Sequence, residues 1–287
     1  MLMNAQEKKL IDYVDPFIGT GGHGHTFPGA VVPFGMVQLS PDNGRSDWDW
    51  CSGYHFSENH IAGFSHTHLS GTGIGDWLDI SVMPLLYPLR DESADIKATF
   101  NHDNEKASPG YYSVQLDNQI KAELTATERV GYHRYHFPNQ SEPVIRLDLA
   151  FRQNWDSPTE TYIKVIDDST VVGYRYSTGW AKVQRVYFAM RTSKPFKEAI
   201  LAGHGVQSAQ IKAAKTEEKG KGVSAQLLFD GQQKLVDMKV ALSSTNYDKA
   251  LLALNEITDW NFEHVRKSAE EKWEHELQKV QVSSSDE

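Results

Sequence analysis

The sequence predicts a mainly β protein: an antiparallel β-sandwich followed by two C-terminal linker helices. Three observations carry this. From about residue 78 to residue 242, apolar and polar residues alternate in short runs, the signature of half-buried strands. Turn signals separate those runs without intervening helical stretches, which implies two packed sheets. Past residue 243 the apolar spacing changes to three and four, the period of a helix with one buried face.

Taken in order, Tyr112, Val114 and Leu116 alternate with polar partners, and Ile120, Ala122, Leu124 and Ala126 do so against Lys121, Glu123, Thr125 and Thr127. Further runs lie at 144–149, 171–176, 186–190, 223–229 and 235–242. Ser108-Pro109-Gly110, Pro138-Asn139, Asp167-Asp168 and Asp230-Gly231 supply the turns. The stretch 212–221, rich in Lys, Glu and Gly, reads as a solvated hairpin or loop. Asn246 is the expected N-cap of a short helix and Asp259 of a longer one carrying Phe262, Val265, Ala269, Trp273, Leu277 and Val280. The expected division is a sandwich domain over 12–243 and a helical linker over 244–287.

Composition narrows the function classes. The 287 residues are 39% hydrophobic and 23% charged, enough apolar surface for a substantial core. A net charge of −9 argues against nucleic acid as a partner. No apolar run approaches the ~18 residues of a membrane span. Cys51 is the single cysteine, so no intramolecular disulfide forms. Met1 to Lys9 lacks the basic start and apolar core of a signal peptide. The expectation is a secreted or periplasmic parent whose signal peptide is not in this chain, although the composition also suits a cytoplasmic protein.

Chemistry-bearing residues concentrate in 19–75. The segment holds Gly19-Thr20-Gly21-Gly22-His23-Gly24-His25, then Asp47-Trp48-Asp49-Trp50, then Ser65-His66-Thr67-His68-Leu69-Ser70-Gly71-Thr72-Gly73. Indoles stack on the C–H face of a pyranose while carboxylates and imidazoles bond its hydroxyls, so a sugar is the expected ligand. Trp48, Trp50 and Trp77 alongside Asp47, Asp49 and Asp76 fit that composition, with core packing of individual tryptophans as the bland alternative. Trp50, flanked by Asp49 and Gly53, is expected to be a partly exposed stacking surface. His66 and His68 share a face if they lie on a strand, and could then reach one ion with a third ligand from His23, His25, His55 or Asp76. The missing third anchor makes local hydrogen bonding the preferred reading, and no metal site is assigned. The glycine loop lacks the Lys-Ser/Thr of a phosphate loop and no strand–helix–strand unit frames it. Asp42, Asp47, Asp49, Asp76 and Asp79 contain no spacing that singles out a glycosidase acid–base pair.

Longer motifs carry a family resemblance. Val14-Asp15-Pro16-Phe17-Ile18-Gly19-Thr20-Gly21-Gly22-His23-Gly24-His25-Thr26-Phe27-Pro28-Gly29-Ala30 resembles the opening of family 92 glycoside hydrolases. So do Pro33-Phe34-Gly35-Met36-Val37-Gln38-Leu39-Ser40-Pro41-Asp42, Gly63-Phe64-Ser65-His66-Thr67-His68-Leu69-Ser70-Gly71, Pro109-Gly110-Tyr111-Tyr112, Gly131-Tyr132-His133-Arg134-Tyr135 and Ser193-Lys194-Pro195-Phe196. The similarity extends to the terminal helix with Trp273. It implies a calcium-dependent, inverting exo-α-mannosidase acting on mannose-containing glycans such as N-glycans. A supersandwich-like N-terminal domain would be joined by helices to a C-terminal (α/α)6 barrel that carries the catalytic acid and base. This chain resembles only the sandwich and helices, so no catalytic residue is assigned here and activity of the chain alone is not expected. Gly22, His23, His25, Trp50, His66, His68 and Asp76 are the expected substrate-binding residues. Calcium is expected for the intact enzyme but not as a tight ligand of this chain, which has no compact loop offering six to eight oxygens.

Two other functions compete: a free-standing carbohydrate-binding module, and a metal-dependent enzyme built on the histidines. If the chain is half of an enzyme, the helix face of Phe262, Val265, Ala269 and Trp273 should be exposed for the barrel. An independent module should bury that face against its own sandwich.

Overall fold

A computed structural model of the protein describes residues 8–89, 96–203, 215–280 and 282. Among the described residues, the strands form two antiparallel sheets. The first has seven strands: β1 (Ala30–Val31), β2 (Gln38–Asp42), β4 (Gly63–Ser65), β5 (Ser81–Leu85), β10 (Val144–Asp148), β16 (Val223–Leu228) and β14 (Glu198–Gly203), in that spatial order. The second has ten, in the order β15 (Glu217–Gly220), β11 (Ser157–Val165), β12 (Thr170–Thr178), β13 (Gln184–Thr192), β17 (Leu235–Ser243), β9 (Val130–His136), β8 (Lys121–Ala126), β7 (Tyr111–Leu116), β6 (Ala98–Ser108) and β3 (His60–Ile61). The sandwich and the alternating runs of the sequence are thus present. Part of the charged stretch 212–221 lies outside the described residues, and its remainder includes the edge strand β15, paired to β11.

The main core fills the space between the sheets, where Leu39, Phe64, Val82, Val114, Leu124, Ile145, Leu147, Phe188, Leu227 and Val240 are buried. A second apolar cluster lies on the outer face of the ten-stranded sheet. There α1 (Tyr247–Ala253) and α2 (Phe262–Leu277) cover Val130, Tyr132, Val172, Ala189 and Ala241. β9 is therefore buried on both faces, with Tyr135 toward the sandwich core and Val130 and Tyr132 toward the helices. That is why its sequence does not alternate cleanly.

The helices are caught locally as well as by packing. Asn246 caps α1, its side chain accepting from the Lys249 amide at 2.9 Å. α2 is capped by Asn261, which accepts from the His264 amide at 3.1 Å; the expected cap, Asp259, instead receives the Asn261 amide at 3.0 Å. Both are short polar side chains able to close such a ring, and the helix begins after the second. The expectation of an exposed α2 face is overturned. Phe262, Val265 and Ala269 are 0%, 6% and 2% exposed, and Phe262 sits edge-on to Tyr132 at 5.1 Å. Trp273 is half-buried and its Nε1 donates to the Val31 carbonyl at 2.7 Å. Lys239 of β17 fastens the linker by donating to the carbonyls of Ile257 and Asp259.

Candidate functional site

The chemistry-bearing residues of segment 19–79 divide into a surface group and an enclosed group. The surface group is built on a 3-10 turn, Trp48–Trp50, whose N-cap Asp47 accepts from the Trp48 amide at 2.7 Å. With about three residues per turn, Trp48 and Trp50 project in different directions. Trp48 is 51% exposed. Its ring lies edge-on to His25 at 4.3 Å and 5.5 Å from His23. Between them Asp49 Oδ1 accepts from His23 Nδ1 at 2.6 Å and lies 3.4 Å from His25 Nε2. The His23 hydrogen bond holds the Asp49 carboxyl below the usual carboxylate range. His23 is exposed, while His25 is buried and held at φ 54°, its carbonyl accepting from the Gly71 amide at 2.6 Å. Gly73 completes the group: it has φ +64°, and a Cβ there would stand 2.9 Å from Trp48 Nε1. Gly22, exposed at φ +57° beside open space, gives its carbonyl to His55 Nε2 at 3.2 Å. Gly22, His23 and His25 are thus brought together with Trp48 and Asp49 as a surface able to stack on a ring and bond its hydroxyls.

Trp50 is not part of that surface, contrary to expectation. It is 8% exposed, stacked on His55 at 4.4 Å and covered on the other side by the Arg45 guanidinium at 3.8 Å. The turn aims it inward, and Trp48 takes the exposed position.

His66 and His68 are likewise withdrawn from the surface, at 0% and 1% exposure. They lie beyond the end of β4, and their rings reach different partners. His66 Nδ1 donates to the Ile80 carbonyl at 2.7 Å, leaving Nε2 to accept from His133 Nε2 at 2.8 Å across the sandwich. His133 Nδ1 then accepts from the Tyr135 hydroxyl at 2.8 Å. Burial drives the His66 pKa down to about 3 and that of His133 well below the usual imidazole value, so this chain of bonds is neutral. His68 faces only acceptors through Nδ1, the Gln38 carbonyl at 2.7 Å, while Nε2 meets Asp42 Oδ1 at 2.9 Å and Ser65 Oγ at 3.2 Å. Among the described residues no three His, Cys, Asp or Glu side chains converge as the ligands of an ion would. Both imidazoles of that spacing make local hydrogen bonds.

Asp76 also proves to be internal, 2% exposed. Its Oδ1 accepts the Trp180 amide at 2.9 Å, and Oδ2 accepts the Ala181 amide at 2.9 Å and Gln184 Nε2 at 2.8 Å. It holds the β12–β13 hairpin. Asp42 and Asp79 are fully buried, Asp79 through Arg175 at 2.5 Å and Thr67 at 2.9 Å. Arg175, in turn 2.5 Å from Asp156, closes a buried network that composition alone does not reveal.

Comparison with known proteins gives the family. A model of the glycosyl hydrolase family 92 N-terminal domain matches residues 13–243. The chain belongs to glycosyl hydrolase family 92. Its structure is similar to a family 92 α-mannosidase from Bacteroides thetaiotaomicron, with 34% sequence identity, a TM-score of 0.91, and coverage of 98% of this chain and 40% of that one. That enzyme is also known in complex with mannoimidazole. A family 92 inverting mannosidase from the same organism is 26% identical with a TM-score of 0.83, covering 97% of this chain and 37% of its own. An uncharacterized secreted glycosidase of Arthroderma benhamiae is 30% identical over 97% of this chain and 39% of its length. The family 92 chain described here thus spans about 40% of these relatives. Among its described residues no helix is long and apolar enough to cross a membrane.

Proposed function

We propose that this chain is the N-terminal, cleft-forming part of an inverting exo-α-mannosidase acting on mannose-containing glycans, inactive by itself. The similarity to the Bacteroides α-mannosidase over 98% of this chain but 40% of that enzyme is the observation that carries the reading. The site chemistry agrees with it. Inverting hydrolysis needs an acid at the leaving oxygen and a base for water on the opposite face. Of the five candidate aspartates, Asp42, Asp76 and Asp79 are buried and bonded, and Asp47 and Asp49 are committed to a turn and to histidines. The surface of His23, Trp48 and Asp49 supplies sugar contacts, and the barrel supplies the acid and base.

In this reading calcium belongs to the whole enzyme. Among the described residues no three His, Cys, Asp or Glu side chains converge as a ligand set. The secreted relative supports an exported parent.

A second reading, a carbohydrate-binding module without catalysis, is favoured by one observation: α2 buries its apolar face against the chain's own sandwich. Mannose release and mannoimidazole binding, measured on the purified chain with and without calcium, test the proposal. It predicts binding without hydrolysis, and turnover only in the longer parent. Mannose release by the pure chain, lost in Asp49→Asn, would overturn it. A parent equally inactive would leave the binding module.

A further inference from the structure

β10 is an interior strand of the seven-stranded sheet, and it carries an arginine, Arg146, that is 7% exposed. Ile145 and Leu147 of this strand belong to the core between the sheets, so Arg146 and Asp148 point out of the opposite face. There they line a cavity of about 440 Å³, within the size range of small-molecule sites. The segment after β10 adds Phe151 and Arg152 to its wall. The start of β11 adds Ser157 and Pro158, and the turn before β16 adds Lys221.

Among the described residues, three cations and one carboxylate line this cavity. The carboxylate is already answered: Asp148 Oδ2 accepts from Arg146 Nη1 at 2.6 Å and Oδ1 from the Ala150 amide at 2.8 Å. That pair cancels in charge and fixes the wall. Arg152 donates to the Ser157 hydroxyl at 2.7 Å and, among the described residues, pairs with no carboxylate. Lys221 pairs with none of them either. Two uncompensated positive charges therefore converge on one cavity, in a chain whose net charge is −9. Like charges gathered in this way repel, and an anion between them removes the repulsion. A guanidinium has more N–H donors than Ser157 uses, and the Ser157 hydroxyl keeps its own proton to donate. Phe151 and Pro158 place apolar wall beside these donors, a surface that a bare ion does not use.

We infer that this cavity is a binding site for a small organic phosphate monoester. The phosphate oxygens take the Arg152 fork, the Lys221 ammonium and the Ser157 hydroxyl, the geometry in which guanidinium and ammonium groups bind phosphate. The carbon skeleton lies against Phe151 and Pro158. Arg146 and Asp148 are positioning residues, holding the floor from which the segment of Arg152 departs. The site shares no residue with the surface of His23, Trp48 and Asp49, and it stands whether or not that surface meets a sugar.

Glucose 6-phosphate, inorganic phosphate and glucose, each titrated calorimetrically into the 287-residue chain, test this. Glucose 6-phosphate is expected to bind more tightly than either of the others. Arg152→Gln and Lys221→Gln should each weaken it by roughly 10- to 150-fold, as expected for loss of a charge-assisted hydrogen bond. Neither should lower the melting temperature, since both side chains are exposed. Lys267→Gln, at an exposed lysine of α2, should leave the affinity unchanged. An affinity for glucose 6-phosphate no greater than that for glucose or for inorganic phosphate would overturn the proposal. So would binding that survives both cavity substitutions, or no binding to the wild-type chain.

Discussion

His23 stands in solvent beside Trp48, with His25 packed just beneath it, whereas His66 and His68 are enclosed within the sandwich. The two pairs come from segments of similar glycine and histidine content, each with one residue between the imidazoles. The first pair shares an anion, Asp49, at the molecular surface. The second is split between a neutral chain through His133 to Tyr135 and a paired contact with Asp42. One region lies at the surface, where the proposed reading puts the sugar, and the other is enclosed and bonded within the protein. Residue type tells which chemistry is available; only the facing tells which use it has.

The comparison breaks most readily at the enclosed pair. Asp42→Ala leaves His68 facing a lost partner in a site with no solvent, and is expected to cost about 3–5 kcal/mol in urea unfolding, as for other buried pairs with one member removed. Asp49→Ala, in the surface group, should change stability by less than about 1 kcal/mol while weakening mannoside binding. Similar stability losses for the two variants would erase the distinction between the regions.

The two tryptophans of the 48–50 turn give the next contrast. Trp50→Ala opens a cavity between His55 and Arg45 and should cost about 3–5 kcal/mol. Trp48→Ala should leave the melting temperature nearly unchanged and weaken mannoside binding by roughly 5- to 100-fold. A destabilised Trp48→Ala with normal sugar affinity would reverse the assignment.

A smaller effect follows from pH. His66 and His133 stay neutral in the folded protein, with His66 near pKa 3 and His133 well below its usual value, while the unfolded chain protonates both near pH 6.5. Below pH 6.5 the unfolded state therefore binds protons that the folded state does not, and stability falls as pH falls. Between pH 6.5 and 5 the loss from His66 is about 2 kcal/mol, and His133 adds to it in the same direction. It is fully absent above the unfolded pKa and grows until the folded pKa is reached. Urea midpoints at pH 7 and 5 check this, and His133→Gln should lessen the slope. A wild-type slope of the opposite sign would contradict the neutral pair.

Much of the fold was legible because alternating runs and helical spacing mark where the elements lie. The strands around Tyr112, Leu124, Val171, Val223 and Val240 follow it, as does the Asn246 cap. β9, like the strands around Val171 and Val240, is buried on both faces, and its own sequence mixes Gly131, His133 and Arg134 among the apolar residues. The site was legible as a region and not as contacts. Trp48 and Trp50 are equivalent in sequence and are separated only by the phase of a 3-10 turn. His66 and His68 would share a face on a strand, but β4 ends at Ser65. Asp76 and Asp49 are both plain aspartates in a tryptophan-rich stretch. Only three-dimensional contact shows that one is saturated by a distant hairpin, 104 residues away, and the other faces solvent.

The central claim is that the Trp48 surface meets the sugar and the enclosed group does not. The most direct measurement is the indole N–H spectrum of the chain titrated with mannoimidazole, with Trp48 and Trp50 assigned by substitution. The account predicts a saturable shift of Trp48 with Trp50 unmoved. A saturable shift of Trp50 with Trp48 silent would contradict it.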